Sequence, residues 1–117
     1  MREFLRGALR LHILHHAARV EVHGAWMAAE LAHHGYRISP GSLYPTLHKM
    51  EEEGLLRSGP AVVDGRAIRT YRATAKGRRT LAVAKGQLRE LADEILNEDH
   101  GEDQRQDAST GIDARRR

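Results

Sequence analysis

The chain has 117 residues, of which 40% are hydrophobic and 30% charged, and it contains no cysteine. This length allows one domain with one modest hydrophobic core. The lack of cysteine excludes disulfides, thiolate metal sites and cysteine nucleophiles. No run of apolar residues approaches the ~20 needed to span a bilayer, and charges interrupt the first residues. We therefore expect a cytoplasmic protein without a membrane segment or targeting signal.

The net charge of +3 is unevenly distributed along the chain. Residues 97–117 hold six acids and four bases, so residues 1–96 hold ten acids and fifteen bases, a balance of +5. The densest basic stretch, residues 57–79, has seven arginines and lysines and a single acid, Asp64. Such a stretch is typical of a surface that binds phosphate, although the charge alone fits a solvated basic face equally well.

Two helices are predicted in the first third of the chain. Apolar residues recur densely and with helical spacing from Phe4 to Ala18, which predicts a first helix buried on two sides. After a break at residues 19–23, a second helix is predicted over about residues 24–33, ended by Gly35 in a left-handed conformation. We interpret both helices as the scaffold of the domain.

A third helix begins near Ser39 and Pro40, residue types that favour a helix start. Its apolar residues follow at i, i+4 and i+7: Leu43, Leu47 and Met50. The opposite face is polar. Two starts remain open, because Pro45 lies inside the helix and costs a hydrogen bond if Ser39 is the cap, whereas it falls in the tolerant first turn if Ser42 is the cap.

Two strands are predicted after the third helix, over Leu55–Val63 and Arg66–Ala73. They are joined at Asp64-Gly65, which is a strong signal for a two-residue hairpin turn. Gly59-Pro60 interrupts the first strand. Because proline cannot donate a ladder hydrogen bond, this strand should lie at an edge or be bulged there.

A last helix can be capped by Thr74. Five of its apolar residues recur at spacings of three and four: Leu81, Ala84, Leu88, Leu91 and Ile95. Two heptads are too short for an independently stable coiled coil, so this stripe predicts docking on the first helix of a second subunit. Packing back onto its own core is the alternative. Past Asn97 the sequence is polar and interrupted by glycine, and it predicts a disordered tail.

The order of these elements predicts a fold class that is mainly α with a small β-hairpin. It is that of a winged helix-turn-helix over residues 1–73, followed by a dimerisation helix over 74–96 and a polar tail over 97–117. In such a fold the third helix enters the ~12 Å major groove and arginines of the hairpin reach phosphates. Double-stranded DNA and a second copy of the chain are the expected partners, and two copies related by a dyad would read a palindrome.

The run SPGSLYPTLHKMEEEGLL, at residues 39–56, resembles the signature SPGTLYPLLHRLEEEGLL of the PadR family of transcriptional regulators. His23-Gly24, Val62–Arg66 and Tyr71–Gly77 are also similar to that family. The resemblance spans about residues 4–96 and is to the short subfamily with one dimerisation helix. It implies a cytoplasmic homodimer that represses transcription and is released by an effector.

The polar face of the third helix and the resemblance together indicate the residues that contact DNA. The candidates on the helix are Ser39, Gly41, Ser42, Tyr44, Pro45, His48 and Lys49. The candidates on the hairpin, or wing, are Arg66 and Arg69. Departures from the family pattern are Gly59-Pro60 in the first wing strand and the polar tail.

Eight histidines raise the hypothesis of a metal site. His12 and His16 stand at i and i+4 with His15 beside them, and they could hold a zinc-like divalent ion if a third ligand arrived from elsewhere. Glu94 or Glu98 from the last helix of a second subunit are candidates for that ligand. Ordinary packed or solvated histidines are the alternative, and the resemblance supplies no general metal site. Three other histidines fit roles at helix ends: His23, His33 and His34.

An enzyme is not expected, because the sequence has no nucleophile with a base and no glycine-rich phosphate loop. No cofactor is required, although a divalent metal ion could serve as the effector. The alternative to a regulator is a metal-binding or protein-interaction adaptor that has a winged-helix fold and no specific DNA target. A steep loss of DNA affinity with salt would argue against the adaptor.

Overall fold

The computed structural model describes the backbone of residues 1–111 and the side chains of residues 1–97. The elements are α1 (Arg2–Arg19), β1 (Val22–His23), α2 (Gly24–His33), α3 (Pro40–Glu52), β2 (Leu56–Val63), β3 (Arg66–Ala73) and α4 (Ala75–Gly111). The chain divides into two compact units, Met1–Ala82 and Val83–Arg117. This order confirms the predicted fold class, a mainly helical winged helix-turn-helix with a small antiparallel sheet.

The hydrophobic core of the first unit lies between α1, α2, α3 and the sheet. Its buried residues are Ile13, Leu14, Ala17, Val22, Met27, Leu31, Leu43, Leu47, Met50, Leu55, Leu56, Tyr71 and Ala73. The apolar stripe predicted for α3 is therefore in the core. In α1 the prediction of burial on two sides is wrong within a single chain, because the buried residues are confined to its second half. Phe4 and Leu5 in the first half remain 56% and 57% exposed.

The start of α3 is at Ser39, so Pro45 lies inside the helix. Proline has no N–H for the carbonyl four residues earlier, which belongs to Gly41. Because Gly41 is exposed, water can satisfy that carbonyl. The helical hydrogen bonds begin at Ser39, because its carbonyl accepts from the N–H groups of Ser42 and Leu43 at 2.9 and 2.8 Å. The Ser39 hydroxyl makes no capping bond and lies 3.4 Å from the Ser42 hydroxyl.

The hairpin of β2 and β3 closes at a turn in which Asp64 and Gly65 both have positive φ, of 52° and 75°. This is the geometry of a type I′ turn, whose twist matches the strands it joins. The strand order is β1-β3-β2, so β2 is an edge strand, and Pro60 pairs with Arg69 in an unbroken register. Proline is thus accommodated by the edge position and not by a bulge. The two-residue strand β1, which was not predicted, pairs with β3.

The last helix begins as predicted, because the Thr74 hydroxyl accepts a hydrogen bond from the Gly77 N–H at 2.9 Å. It runs further than predicted, to Gly111, and residues 97–111 are helical where the sequence indicated a tail. The stretch has few good helix formers, but adding residues to a helix that is already nucleated costs much less than starting one. Residues 112–117 lie outside the described part, and the domain limits at 73 and 96 stay predictions. Within the described residues, no helix has the length and apolar character to cross a bilayer.

Candidate nucleic-acid interface

The polar face of α3 is open to solvent. All seven candidate residues on this helix are exposed: Ser39, Gly41, Ser42, Tyr44, Pro45, His48 and Lys49. The buried stripe of Leu43, Leu47 and Met50 attaches the opposite face to the core. The structure therefore separates α3 into one face that holds it in place and one that is free to contact a ligand.

Tyr44 lies over the start of α2. A Cβ atom on Gly24 would stand 2.4 Å from the Tyr44 hydroxyl oxygen, so the absence of a side chain at Gly24 leaves the space in which the ring lies. The ring is still 46% exposed. The start of α2 is itself capped by His23, as predicted, whose Nδ1 accepts a hydrogen bond from the Trp26 N–H at 3.2 Å. The Tyr44 ring thus packs on one side against α2 and is exposed on the other, among the polar residues of α3.

The two wing arginines differ in their surroundings. Arg66 is exposed beside the Asp64-Gly65 turn at the tip of the hairpin. Arg69, also exposed, donates from Nε to the Ser58 hydroxyl on the neighbouring strand at 3.0 Å. The guanidinium of Arg69 is therefore held against β2, whereas Arg66 is exposed at the tip of the hairpin.

Glu51, near the end of α3, anchors the wing. Its carboxylate accepts hydrogen bonds from the backbone N–H and the hydroxyl of Ser58, at 3.3 and 2.7 Å. Ser58 in turn accepts the bond from Arg69. This chain of contacts connects α3 to both wing strands and sets where the wing lies beside the polar face of α3.

Replacing Glu51 with alanine is expected to lower the free energy of unfolding by about 1–3 kcal/mol, because two part-buried hydrogen bonds to a charged group are lost. Urea denaturation followed by circular dichroism measures this loss. The matched control is Glu52→Ala. Glu52 is exposed, and its carboxylate lies 3.3 Å from Nε2 of His48, which is also exposed. Equal unfolding free energies for the two variants would show that Glu51 does not anchor the wing.

A second group of polar side chains lies between the second half of α1 and the end of α2. We call His12, His16, Glu30 and His34 the histidine cluster. The Glu30 Oε2 atom lies 3.0 Å from Nε2 of His34 and 3.5 Å from Nε2 of His16. The ring centroid of His12 is 4.9 Å from that of His34. One ligand atom each from His16, Glu30 and His34 lie within 4.8 Å of one another, so these residues could hold a metal ion.

The histidine cluster differs from the predicted group of His12, His15 and His16. His15 is exposed, and its ring lies edge-on to the ring of His16 at a centroid distance of 5.0 Å. Within the single chain, the additional ligand atoms come from α2. The supply of a ligand by Glu94 or Glu98 of a second subunit stays a prediction. Glu94 belongs to the second unit, and the side chain of Glu98 lies outside the described residues. Glu30 and His34 were missed, although they form an i, i+4 pair like that of His12 and His16.

The two α1 histidines of the cluster are enclosed. His12 Nδ1 and His16 Nε2 are buried without a hydrogen-bond partner. Burial lowers the pKa of both imidazoles, and the neighbouring His34 and His15 lower the pKa of His12 and of His16 respectively, while Glu30 opposes this shift. The lowered pKa favours the neutral form of both rings, which is the form in which imidazole binds metal ions.

Comparisons with known proteins agree with this architecture. A family model described as "Transcriptional regulator PadR-like family" matches residues 13–83. The transcriptional regulator Rv3488 of Mycobacterium tuberculosis is 64% identical over 96 residues, which cover 82% of this chain and 90% of that protein. The region matched by the family model includes α2, α3 and the whole wing.

Solved structures show the same fold. The PadR-like transcriptional regulator BC4206 from Bacillus cereus has a TM-score of 0.75 at 29% identity, covering 81% of this chain and 94% of that one. A PadR family transcriptional regulator from Eggerthella lenta has a TM-score of 0.70 at 30% identity, covering 81% and 84%. These similarities extend over most of each chain.

Proposed function

Because the chain belongs to the PadR-like family of transcriptional regulators, we propose that it is a repressor that binds a palindromic operator as a homodimer and is released by an effector. It acts in the cytoplasm and catalyses no reaction. The observation that carries the proposal is the exposed polar face of α3 beside a basic wing, with the opposite face of the same helix fully buried.

The chemistry of this face suits the major groove. Ser39, Gly41 and Ser42 at its amino-terminal end are small, so the backbone can approach the bases closely, and the hydroxyls can donate or accept hydrogen bonds. The helix start also carries partial positive charge that attracts phosphate. Lys49 adds a full charge further along the helix, and Arg66 at the wing tip can reach the backbone of the flanking DNA.

The apolar stripe of α4 supports the homodimer. Leu88, Leu91 and Ile95 are each about half exposed, at 51%, 50% and 51%. A regular exposed apolar stripe of this kind is typical of a surface that binds another protein. The first half of α1, with Phe4 and Leu5 exposed, offers a complementary apolar surface on a second copy. The two other stripe residues, Leu81 and Ala84, are half-buried. Leu81 packs partly against the core of its own chain.

The test is a fluorescence-anisotropy titration against DNA from upstream of the chain's own gene, with scrambled DNA as competitor and a series of salt concentrations. Binding that resists the competitor and falls steeply with salt is the expected result, because neutralised phosphates release counterions. Binding that is weak and indifferent to sequence would instead favour the adaptor with no DNA target.

Lys49→Ala and Tyr44→Ala are expected to weaken operator binding without changing the dimer. Lys49→Ala should also leave the unfolding midpoint unchanged, whereas Tyr44→Ala loses the packing of its ring against α2. Losing a base contact at Tyr44 costs about 10- to 100-fold in affinity, and losing a phosphate contact at Lys49 lowers the salt slope by about 1 for each contact. Lys85→Ala is the matched control, because Lys85 is an exposed lysine on α4 and outside the proposed surface. Normal binding by both α3 variants would show that another surface contacts DNA.

A further inference from the structure

The histidine cluster has no part in the proposed contact with DNA, and its donor atoms converge. Nε2 of His16 and Nε2 of His34 lie 3.5 and 3.0 Å from the same carboxylate oxygen of Glu30. In a tetrahedral zinc site with bonds of ~2.0–2.1 Å, two ligand atoms stand about 3.3 Å apart. These two distances are therefore close to those of a coordination sphere, and all three ligand atoms lie within 4.8 Å of one another.

The unpartnered nitrogens of the cluster point the same way. Buried polar atoms almost always have a hydrogen-bond partner, yet Nε2 of His16 and Nδ1 of His12 have none. A bound cation would satisfy the His16 nitrogen directly. His12 is not among the residues whose ligand atoms lie within 4.8 Å of one another, but its ring centroid is 4.9 Å from that of His34 and 6.1 Å from that of His16, so a change of its rotamer would bring it to the ion.

Aromatic rings enclose the cluster on two sides. Trp26 meets the His16 ring edge-on at a centroid distance of 5.2 Å, and Tyr36 meets the His12 ring edge-on at 5.1 Å. These contacts restrict the rotamers of the two imidazoles. The site is thus partly organised before an ion arrives.

We propose that His16, Glu30 and His34 bind one divalent transition-metal ion of the zinc class, with His12 as the fourth ligand. Imidazole nitrogens with one carboxylate suit Zn²⁺, Co²⁺ and Ni²⁺. The set contains no thiolate for Cu⁺ and too few oxygens for Ca²⁺ or Mg²⁺. All four ligands belong to one chain, so a homodimer binds two ions.

The position of the site connects it to α3. His34 is the C-cap residue of α2, and Ser39, which begins α3, follows five residues later. An ion that ties the end of α2 to α1 therefore restrains the turn that places the polar face of α3. This regulatory role rests on the proposed function, and we expect the ion to weaken operator binding at least ~5-fold, within the usual range of allosteric coupling.

Binding is tested on the full chain, with any histidine tag removed and after treatment with a chelator. Titration with Co²⁺ is expected to produce the visible absorption of a nitrogen- and oxygen-ligated tetrahedral ion, saturating at one ion per chain and abolished by Zn²⁺. Glu30→Gln and His34→Asn should each lower the Co²⁺ affinity by more than ~100-fold, since even outer-shell partners of metal ligands contribute 10- to 100-fold. Circular dichroism verifies that both variants fold.

His33→Asn is the matched control, because His33 is exposed, is adjacent to His34 on α2 and lies outside the cluster. Its Co²⁺ affinity should equal that of the parent chain. Failure of the parent chain to bind Co²⁺, or an equal loss in His33→Asn and His34→Asn, would overturn the site.

The regulatory role has its own measurement, which is the operator affinity with and without Zn²⁺. If the ion binds as described and this affinity does not change, the regulatory role is wrong while the site stands. If the chain binds no operator in either condition, the proposed function fails, and the Co²⁺ titration still decides the site.

Discussion

The Leu88→Glu variant is expected to be a monomer that binds the palindromic operator at least ~100-fold more weakly than the parent chain. Leu88 stands at the middle of the α4 stripe, between Ala84 and Leu91, and half of its surface is exposed in the single chain. In the proposed dimer a glutamate there would be a buried charge without a partner, which costs about 3–5 kcal/mol per copy. A monomer reads only one half-site, so the affinity falls with the dimer.

Size-exclusion chromatography with light scattering measures the mass of the variant, and anisotropy titration measures its affinity for the operator. Gln87→Glu is the matched control, because it introduces the same charge at the adjacent exposed position, outside the stripe. A Leu88→Glu variant that stays dimeric would place the dimer interface elsewhere. A monomeric variant with full affinity for the palindrome would show that dimerisation is not needed for binding.

Gly77→Ala is expected to lower the free energy of unfolding by about 2–4 kcal/mol, although the helix propensity of alanine is ~1 kcal/mol more favourable than that of glycine. Gly77 is buried in the first turn of α4, and a Cβ atom there would stand 2.2 Å from the carbonyl oxygen of Leu55. That carbonyl also accepts a hydrogen bond from the Thr74 N–H at 3.1 Å. The backbone at Leu55 therefore cannot move away without losing the hydrogen bond from Thr74. The steric cost of the added Cβ atom is thus larger than the gain in helix propensity.

Urea denaturation followed by circular dichroism gives the size of this loss. The matched control is Gly86→Ala on the same helix, where an added Cβ meets nothing within 4 Å. This control should gain up to ~1 kcal/mol, as expected for alanine at an exposed helical position. A similar change in both variants would refute the close approach of α4 to Leu55.

Features with a short-range pattern were predicted correctly from the sequence. The spacing of Leu43, Leu47 and Met50 defined the buried face of α3, because residues three and four apart lie on one side of a helix. Asp64-Gly65 defined the hairpin turn, because few residue pairs tolerate two consecutive positive φ angles. Both signals are local and depend little on the rest of the chain.

Features that depend on distant partners were missed or left open. The strand β1 has two residues, too few to show any periodicity, and it exists because β3 offers it a free edge. The position of Pro45 within α3 was undecided, because Ser39 and Ser42 are both acceptable caps and only the packed helix selects one. The bond between Glu51 and Ser58 joins two elements across a turn, which no spacing rule describes.

The histidine cluster combines local patterns of the sequence with contacts between distant residues. The sequence by itself determined that His12 and His16 share one helix face, and that Glu30 and His34 share another, because each pair is four residues apart. Only the tertiary structure decided that these two faces meet and that His15 is left outside. The crossing of α1 and α2 is set by how the core side chains of both helices interdigitate, and that packing cannot be deduced from the periodicity of either helix alone.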